Sequence, residues 1–187
     1  MAKVKGNLFI DRLSGTVGDQ MIIRRIRGGR TIICAKPTFG PDRTFSEAQL
    51  SRQQAFREAS AYAKEHKRDP IYLSIAEGTA RTGYNVALGD WLTRPRILEI
   101  DLNGWHGGAI EPIRARAQDD VKVVQVRVEI ADETGTILEA GQAEDAGAWW
   151  WAYTVTQPLS GALTVTVTAS DLPGHVTQAS EEKSICE

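Results

Sequence analysis

The chain has 187 residues, 42% hydrophobic, 25% charged and 7% aromatic, with a formal net charge of −2. That balance is ordinary for globular protein and excludes a chain disordered along its length. No run of about 18 apolar residues occurs, which excludes a membrane-spanning helix.

The opening MAKVKGNLFIDRLSG has neither the apolar core nor the cleavage site of a classical signal peptide. A cytoplasmic location is therefore the default expectation, with a non-classical route to the surface as the exception. Charge is unevenly placed. Residues 1–96 hold 17 Lys and Arg against 9 Asp and Glu, a net +8, whereas residues 97–187 hold 5 against 15, a net −10. Such asymmetry bears on partners rather than on fold. The hydrophobic period also changes at Ile97, so the expected division is a basic hairpin and helix module over 1–96 and an acidic module over 97–187.

Asn7 to Ile10 read as a short strand, followed by the loop Ser14-Gly15-Thr16-Val17-Gly18-Asp19. The loop lacks the GxxxxGK[ST] pattern and opens no helix, so it reads as a turn and not as a phosphate cradle. Gln20 to Lys36 contain two β-rich runs around Gly28-Gly29, a hairpin signal because both central residues of a type I′ turn need positive φ. Ile22, Ile26, Ile32 and Cys34 are its expected covered face, with Cys34 a small buried hydrophobe. Arg24, Arg25, Arg27 and Arg30 crowd the hairpin tip, as a solvated face or a docking site for an acidic partner. A basic ribbon that enters a nucleic-acid groove, with Lys36 in support, is the runner-up.

Cys186 is next to last and expected exposed. Neither the two cysteines nor His66, His106 and His175 have zinc spacing, so no metal and no cofactor is expected.

Pro37 to Pro41 separate the hairpin from a helix opened by Ser46-Glu47-Ala48-Gln49, a capping box. Ala48, Ala55, Phe56, Ala59, Tyr62 and Ala63 carry helical spacing to about Lys64. Asp69-Pro70 opens a second helix with Ile71, Leu73 and Ile75 facing inward, and a third runs from about Thr82 to Leu92. The layout SGxVG … TxAQ … F … YNxA, read in Ser14–Gly18, Thr44–Leu50, Phe56 and Thr82–Ala87, resembles a family of small bacterial proteins of uncharacterised activity. The resemblance implies no activity, substrate or cofactor.

Beyond Ile97 the period is two. Val124, Val126, Val128 and Ile130 alternate with polar residues, as do Leu163, Val165, Val167 and Ala169. With runs at 97–102, 110–117, 137–140, 149–156 and 175–185 the expected total is seven strands. The stretch from Ala117 through Trp151-Ala152-Tyr153 to Ala169-Ser170-Asp171-Leu172-Pro173-Gly174 resembles bacterial immunoglobulin-like repeat domains. The expected fold class is thus α+β: a β-hairpin plus helices, then a seven-stranded immunoglobulin-like β-sandwich.

In Trp149-Trp150-Trp151, strand geometry places Trp149, Trp151, Tyr153 and Val155 on one face and Trp150 on the other. Trp150 then lies either under a neighbouring loop or at an interface, where tryptophan is enriched. Acidic residues concentrate in turns, among them Asp119, Asp120, Glu144, Asp145 and Asp171. Asp119, Asp120 and Asp171 could approach one another at one end of a sandwich, but without calcium-loop spacing they read as solvated turn carboxylates.

No Ser/His/Asp set, Cys/His set or nucleotide loop is present, so the reading is non-enzymatic. The leading expectation is a structural protein that assembles with copies of itself, head to tail or as a filament, through its basic and acidic modules. Arg24, Arg25, Arg27, Arg30, Trp150, Asp119, Asp120, Glu144 and Asp145 are the interface candidates. Nucleic-acid binding by the basic hairpin, and a surface adhesin or glycan-binding module, are the alternatives.

Overall fold

The computed structural model of the chain describes residues 2–4, 13–26, 29–40 and 44–185. The expected strand at Asn7–Ile10, the residues Arg27 and Gly28, and Cys186 lie outside the described residues. The first part is a four-stranded antiparallel sheet of β1 (Ala2–Val4), β2 (Gly15–Val17), β3 (Met21–Ile26) and β4 (Arg30–Ala35), in the order β1-β4-β3-β2. The expected hairpin is its centre, with Met21 opposite Ala35 and Ile26 opposite Arg30. The covered face differs from expectation. Ile23 and Thr31 are the buried residues, and they belong to the face opposite Ile22, Ile26, Ile32 and Cys34. Cys34 is half-buried and free. Apolar residues occur on both faces of β3 and β4, so alternation there does not single out one side.

Three helices follow: α1 (Glu47–His66), α2 (Pro70–Ala76) and α3 (Gly83–Leu92). At the start of α1 the Gln49 amide donates to Ser46 Oγ while Gln49 Oε1 accepts from the Ser46 amide, the reciprocal capping box that satisfies two otherwise orphaned donors. Only Ala59 and Ala63 of this helix are buried. Asp69 occupies the cap position of α2, but its carboxylate pairs with His66 Nδ1 at 2.8 Å and makes no cap bond. The inward residues of α2 are Tyr72 and Ala76; Leu73, expected inside, is exposed. In a helix of two turns one extra apolar residue suffices to misplace the stripe. Ala63, Tyr72, Ala76, Val86 and Ala87 form the helical core, and Val121 and Leu172 from the second half pack against it.

From Arg96 the chain builds β5 (Arg96–Asp101), β6 (Pro112–Gln118), β7 (Val123–Asp132), β8 (Ile137–Gln142), β9 (Glu144–Gly147), β10 (Trp150–Thr154), β11 (Gly161–Asp171) and β12 (Val176–Ile185). They form two four-stranded antiparallel sheets, β5-β6-β10-β9 and β12-β11-β7-β8. Both sheets contribute to one core around Trp105, Ile113, Val128, Ile130, Tyr153, Val155 and Val165. The architecture is a mostly-β layout of three four-stranded sheets and three short helices, which corrects the expectation of a hairpin and helix module followed by one seven-stranded sandwich. The additional strand of the second half is β9. Its sequence, Glu-Asp-Ala-Gly, has no β-branched or aromatic residue, and it is fully exposed at a sheet edge where charge is tolerated. Val124 also departs from its expected inward set: it is exposed, next to the irregularity where Asp171 pairs with Val123.

Candidate functional site

The two-residue connection between β9 and β10 has left-handed backbone at both positions. Gly147 pairs with Trp150, which leaves Ala148 and Trp149 as the turn. Their φ angles are 50° and 68°, the type I′ signature that ordinarily selects Asn-Gly. Left-handed backbone costs an L-residue roughly 1–2 kcal/mol, and such outliers concentrate where function requires them. Asp145 Oδ1 accepts from the Gly147 amide at 2.8 Å, and the Trp149 carbonyl accepts from the Ala117 amide at 2.9 Å, so the turn is held from both sides.

Trp149 therefore leaves the strand pattern and stands 52% exposed at the tip, with the Arg116 guanidinium 5.5 Å from its ring centroid. A groove of about 290 Å³ lies below it, lined by Trp149, Trp151, Lys122, Asp119 and Asp145 among others. Trp151 packs against the sandwich core. Trp150, the residue singled out by sequence, is half-buried; it pairs with Arg116 and borders a second depression of about 290 Å³ with Asp101 and Arg114. Sequence reasoning missed Trp149 because it was counted as a strand residue. The signal available was the polar run ending in Gly147, which marks a turn.

Among the other candidates, Glu144 and Asp145 lie on the exposed edge strand β9, beside Trp149. Arg24, Arg25 and Arg30 are exposed in the first sheet. Arg24 and Arg30 share one face and Arg25 takes the other, so the arginines do not form a single patch. Asp120 Oδ2 accepts from the Thr93 hydroxyl at 3.2 Å, just after α3.

Asp119 and Asp171 do converge, but on a residue that sequence reasoning did not single out: Asp90, the lone charged side chain of α3, which is fully buried. The Tyr72 hydroxyl donates to Asp90 Oδ2 at 2.6 Å, and Tyr62 in turn donates to Tyr72 at 2.7 Å, since Tyr72 has already committed its own proton. Burial pushes the Asp90 carboxyl up to about 7; the Tyr72 bond opposes this, while the charges of Asp119 and Asp171 and a hydrogen bond with Asp119 add to it. Burial likewise raises Tyr62 and Tyr72, Tyr72 also through its bond to Asp90. Asp171 accepts from the His175 amide at 2.6 Å and from its Nδ1 at 3.1 Å, and His175 meets the Trp91 ring edge-on at 5.1 Å. Among the described residues no three His, Cys, Asp or Glu side chains are arranged to hold a metal ion. No described helix is long and apolar enough to cross a membrane.

No protein-family model matches the chain, and no curated protein does. Among solved structures, it is similar to CopC from Methylosinus trichosporium OB3b at 15% identity and a TM-score of 0.36, over 47% of this chain and 89% of that one. It is also similar to an engineered protein at 23% identity and a TM-score of 0.37, over 50% of this chain and 19% of that one.

Proposed function

We propose that this chain is a non-enzymatic interaction protein that assembles with copies of itself, the basic first half of one molecule meeting the acidic β9–β10 edge of the next. The observation that carries the reading is the Ala148-Trp149 turn. Two strained residues present a tryptophan to solvent beside Glu144 and Asp145 on an unpaired strand edge. An exposed edge with an aromatic anchor and fixed negative charge fits a cationic partner, and Arg24, Arg25 and Arg30 of the first sheet are exposed cations of the complementary sign. The net charges of +8 and −10 on the two halves steer such an encounter. The sheets β5-β6-β10-β9 and β12-β11-β7-β8 end in exposed edge strands, where a further chain can add. A contact between unlike surfaces is heterologous, and heterologous contacts propagate into rings or filaments.

Sedimentation velocity at about 50 mM and about 500 mM salt tests the reading, because screening shortens from ~14 Å to ~4 Å over that range. Oligomers that dissociate in high salt are expected. A strict monomer at the lower salt refutes the proposal.

A further inference from the structure

Asp90, buried where the helices meet the sandwich, has no part in that assembly surface, whereas Asp119 also lines the groove below Trp149. Each carboxyl of the Asp90–Asp119 pair has one oxygen supplied with donors. Asp90 Oδ2 takes the Tyr72 hydroxyl, and Asp119 Oδ2 takes the amides of Val121 and Lys122, both at 3.2 Å. The other oxygen of each, Oδ1, is buried without any donor. Asp119 is nevertheless near enough to raise the Asp90 carboxyl by its charge and by a hydrogen bond. Two ionised carboxylates in contact and out of water repel, whereas one shared proton turns the same contact into a charge-assisted hydrogen bond.

We infer that Asp90 and Asp119 hold one proton between their carboxyl groups, and that this proton latches the helical layer to the sandwich, so that its release loosens the junction. Asp90 sits on α3 and Asp119 in the turn after β6, so the proton bridges elements of the two halves. The packing around it crosses the same boundary: Val121 and Leu172 enter the helical core, and Trp91 meets His175. Every element facing the pair brings its own polar groups. These are Tyr62 and His66 from α1, Asp69 and Tyr72 at α2, Asp171 and His175 at the β11–β12 turn, and Asp120 with Arg94 and Arg96 beside Asp119. His66 pairs with Asp69 and His175 with Asp171, while burial keeps the Tyr62 and Tyr72 hydroxyls protonated. Substitutions at Asp90 and Asp119 therefore test the shared proton apart from these neighbours.

Hydrogen exchange of the full chain at about pH 5.5 and about pH 8, corrected for the intrinsic rate, reads the latch directly. In the wild-type protein, protection of the α3 amides and of the Asp171–His175 turn is expected to fall at least about tenfold at the higher pH, while the β7–β11 amides keep theirs. Asp90→Asn supplies a permanent donor to Asp119 and an acceptor to Tyr72, so its α3 protection is expected to be the same at both values. Asp119→Asn does the same from the opposite side and replaces the first variant should that one not fold. Wild-type protection that does not change with pH overturns the inference without reference to any variant. So does a folded Asp90→Asn or Asp119→Asn protein that loses α3 protection in step with the wild type.

Discussion

The Ala148-Trp149 turn permits a test in which stability and association separate. Ala148→Asn places a residue tolerant of left-handed backbone where φ is 50° and leaves Trp149 untouched. Relief of strain is then worth about 1 kcal/mol, which in a chain of this size raises Tm by roughly 2–4 °C. Trp149→Gly is different. It relieves about 1–2 kcal/mol at φ 68°, but it removes the contact with the Arg116 guanidinium, worth about 0.5–1 kcal/mol at an exposed position. It also uncovers the shielded half of an indole, worth about 2 kcal/mol at ~25 cal/mol per Å². The net change in stability is small, a loss of about 1 kcal/mol. An interface anchor of the kind proposed contributes at least about 2 kcal/mol, so Trp149→Gly weakens self-association by about thirtyfold. Thermal unfolding followed by circular dichroism, paired with sedimentation at low salt, measures both quantities. A Trp149→Gly protein that associates like the wild type, or an Ala148→Asn protein with a lowered Tm, refutes the reasoning.

Four further outcomes are expected. A Cβ at Gly83 meets the Lys67 carbonyl oxygen at a distance no real contact permits; Gly83→Ala therefore forces backbone movement between α1 and α3 and lowers stability by about 1–3 kcal/mol in urea unfolding. Ser46→Ala breaks the capping box and costs about 1 kcal/mol, read as a loss of helical ellipticity from the poorly buried first half of α1. Tyr153 donates to the buried Glu139 at 2.7 Å, a bond that with burial pushes its own hydroxyl up to about 12; Tyr153→Phe withdraws that donor and costs about 1–3 kcal/mol. Finally, Asp90 is raised from 3.8 to about 7 on folding, so the native state binds the extra proton. Stability from this group is complete below about pH 4 and is lost as pH rises to about 7, by up to ~4 kcal/mol; Asp90→Asn flattens that slope in pH-dependent urea titrations.

Much of the second half was legible because its strands alternate cleanly: Val126, Val128, Ile130, Val165, Val167 and Ala169 all point into the core. The Ser46 capping box was legible for a different reason, since both of its bonds are local and its spacing is diagnostic. What escaped depends on contacts between distant segments. The edge strand β9 is held by pairing to β10 and not by its own residues, and the Trp149 turn follows from that pairing. Asp90 was silent because a single acid in an apolar helix reads as a surface residue until Tyr72, Asp119 and Asp171 are brought around it. Asp119 and Asp171 read as solvated turn carboxylates for the same reason, since the buried acid they act on lies on another element.

Helix α1 is about 30 Å long, yet its buried residues, Ala59 and Ala63, belong to its last two turns. It is anchored like a cantilever at the Tyr62 end, and among the described residues none of its arm before Ala59 is fully buried. A lateral force on the free arm is delivered, with leverage, to the Tyr62–Tyr72–Asp90 chain at the fulcrum. Such a load would thus be felt first at the point where the helices are fastened to the sandwich.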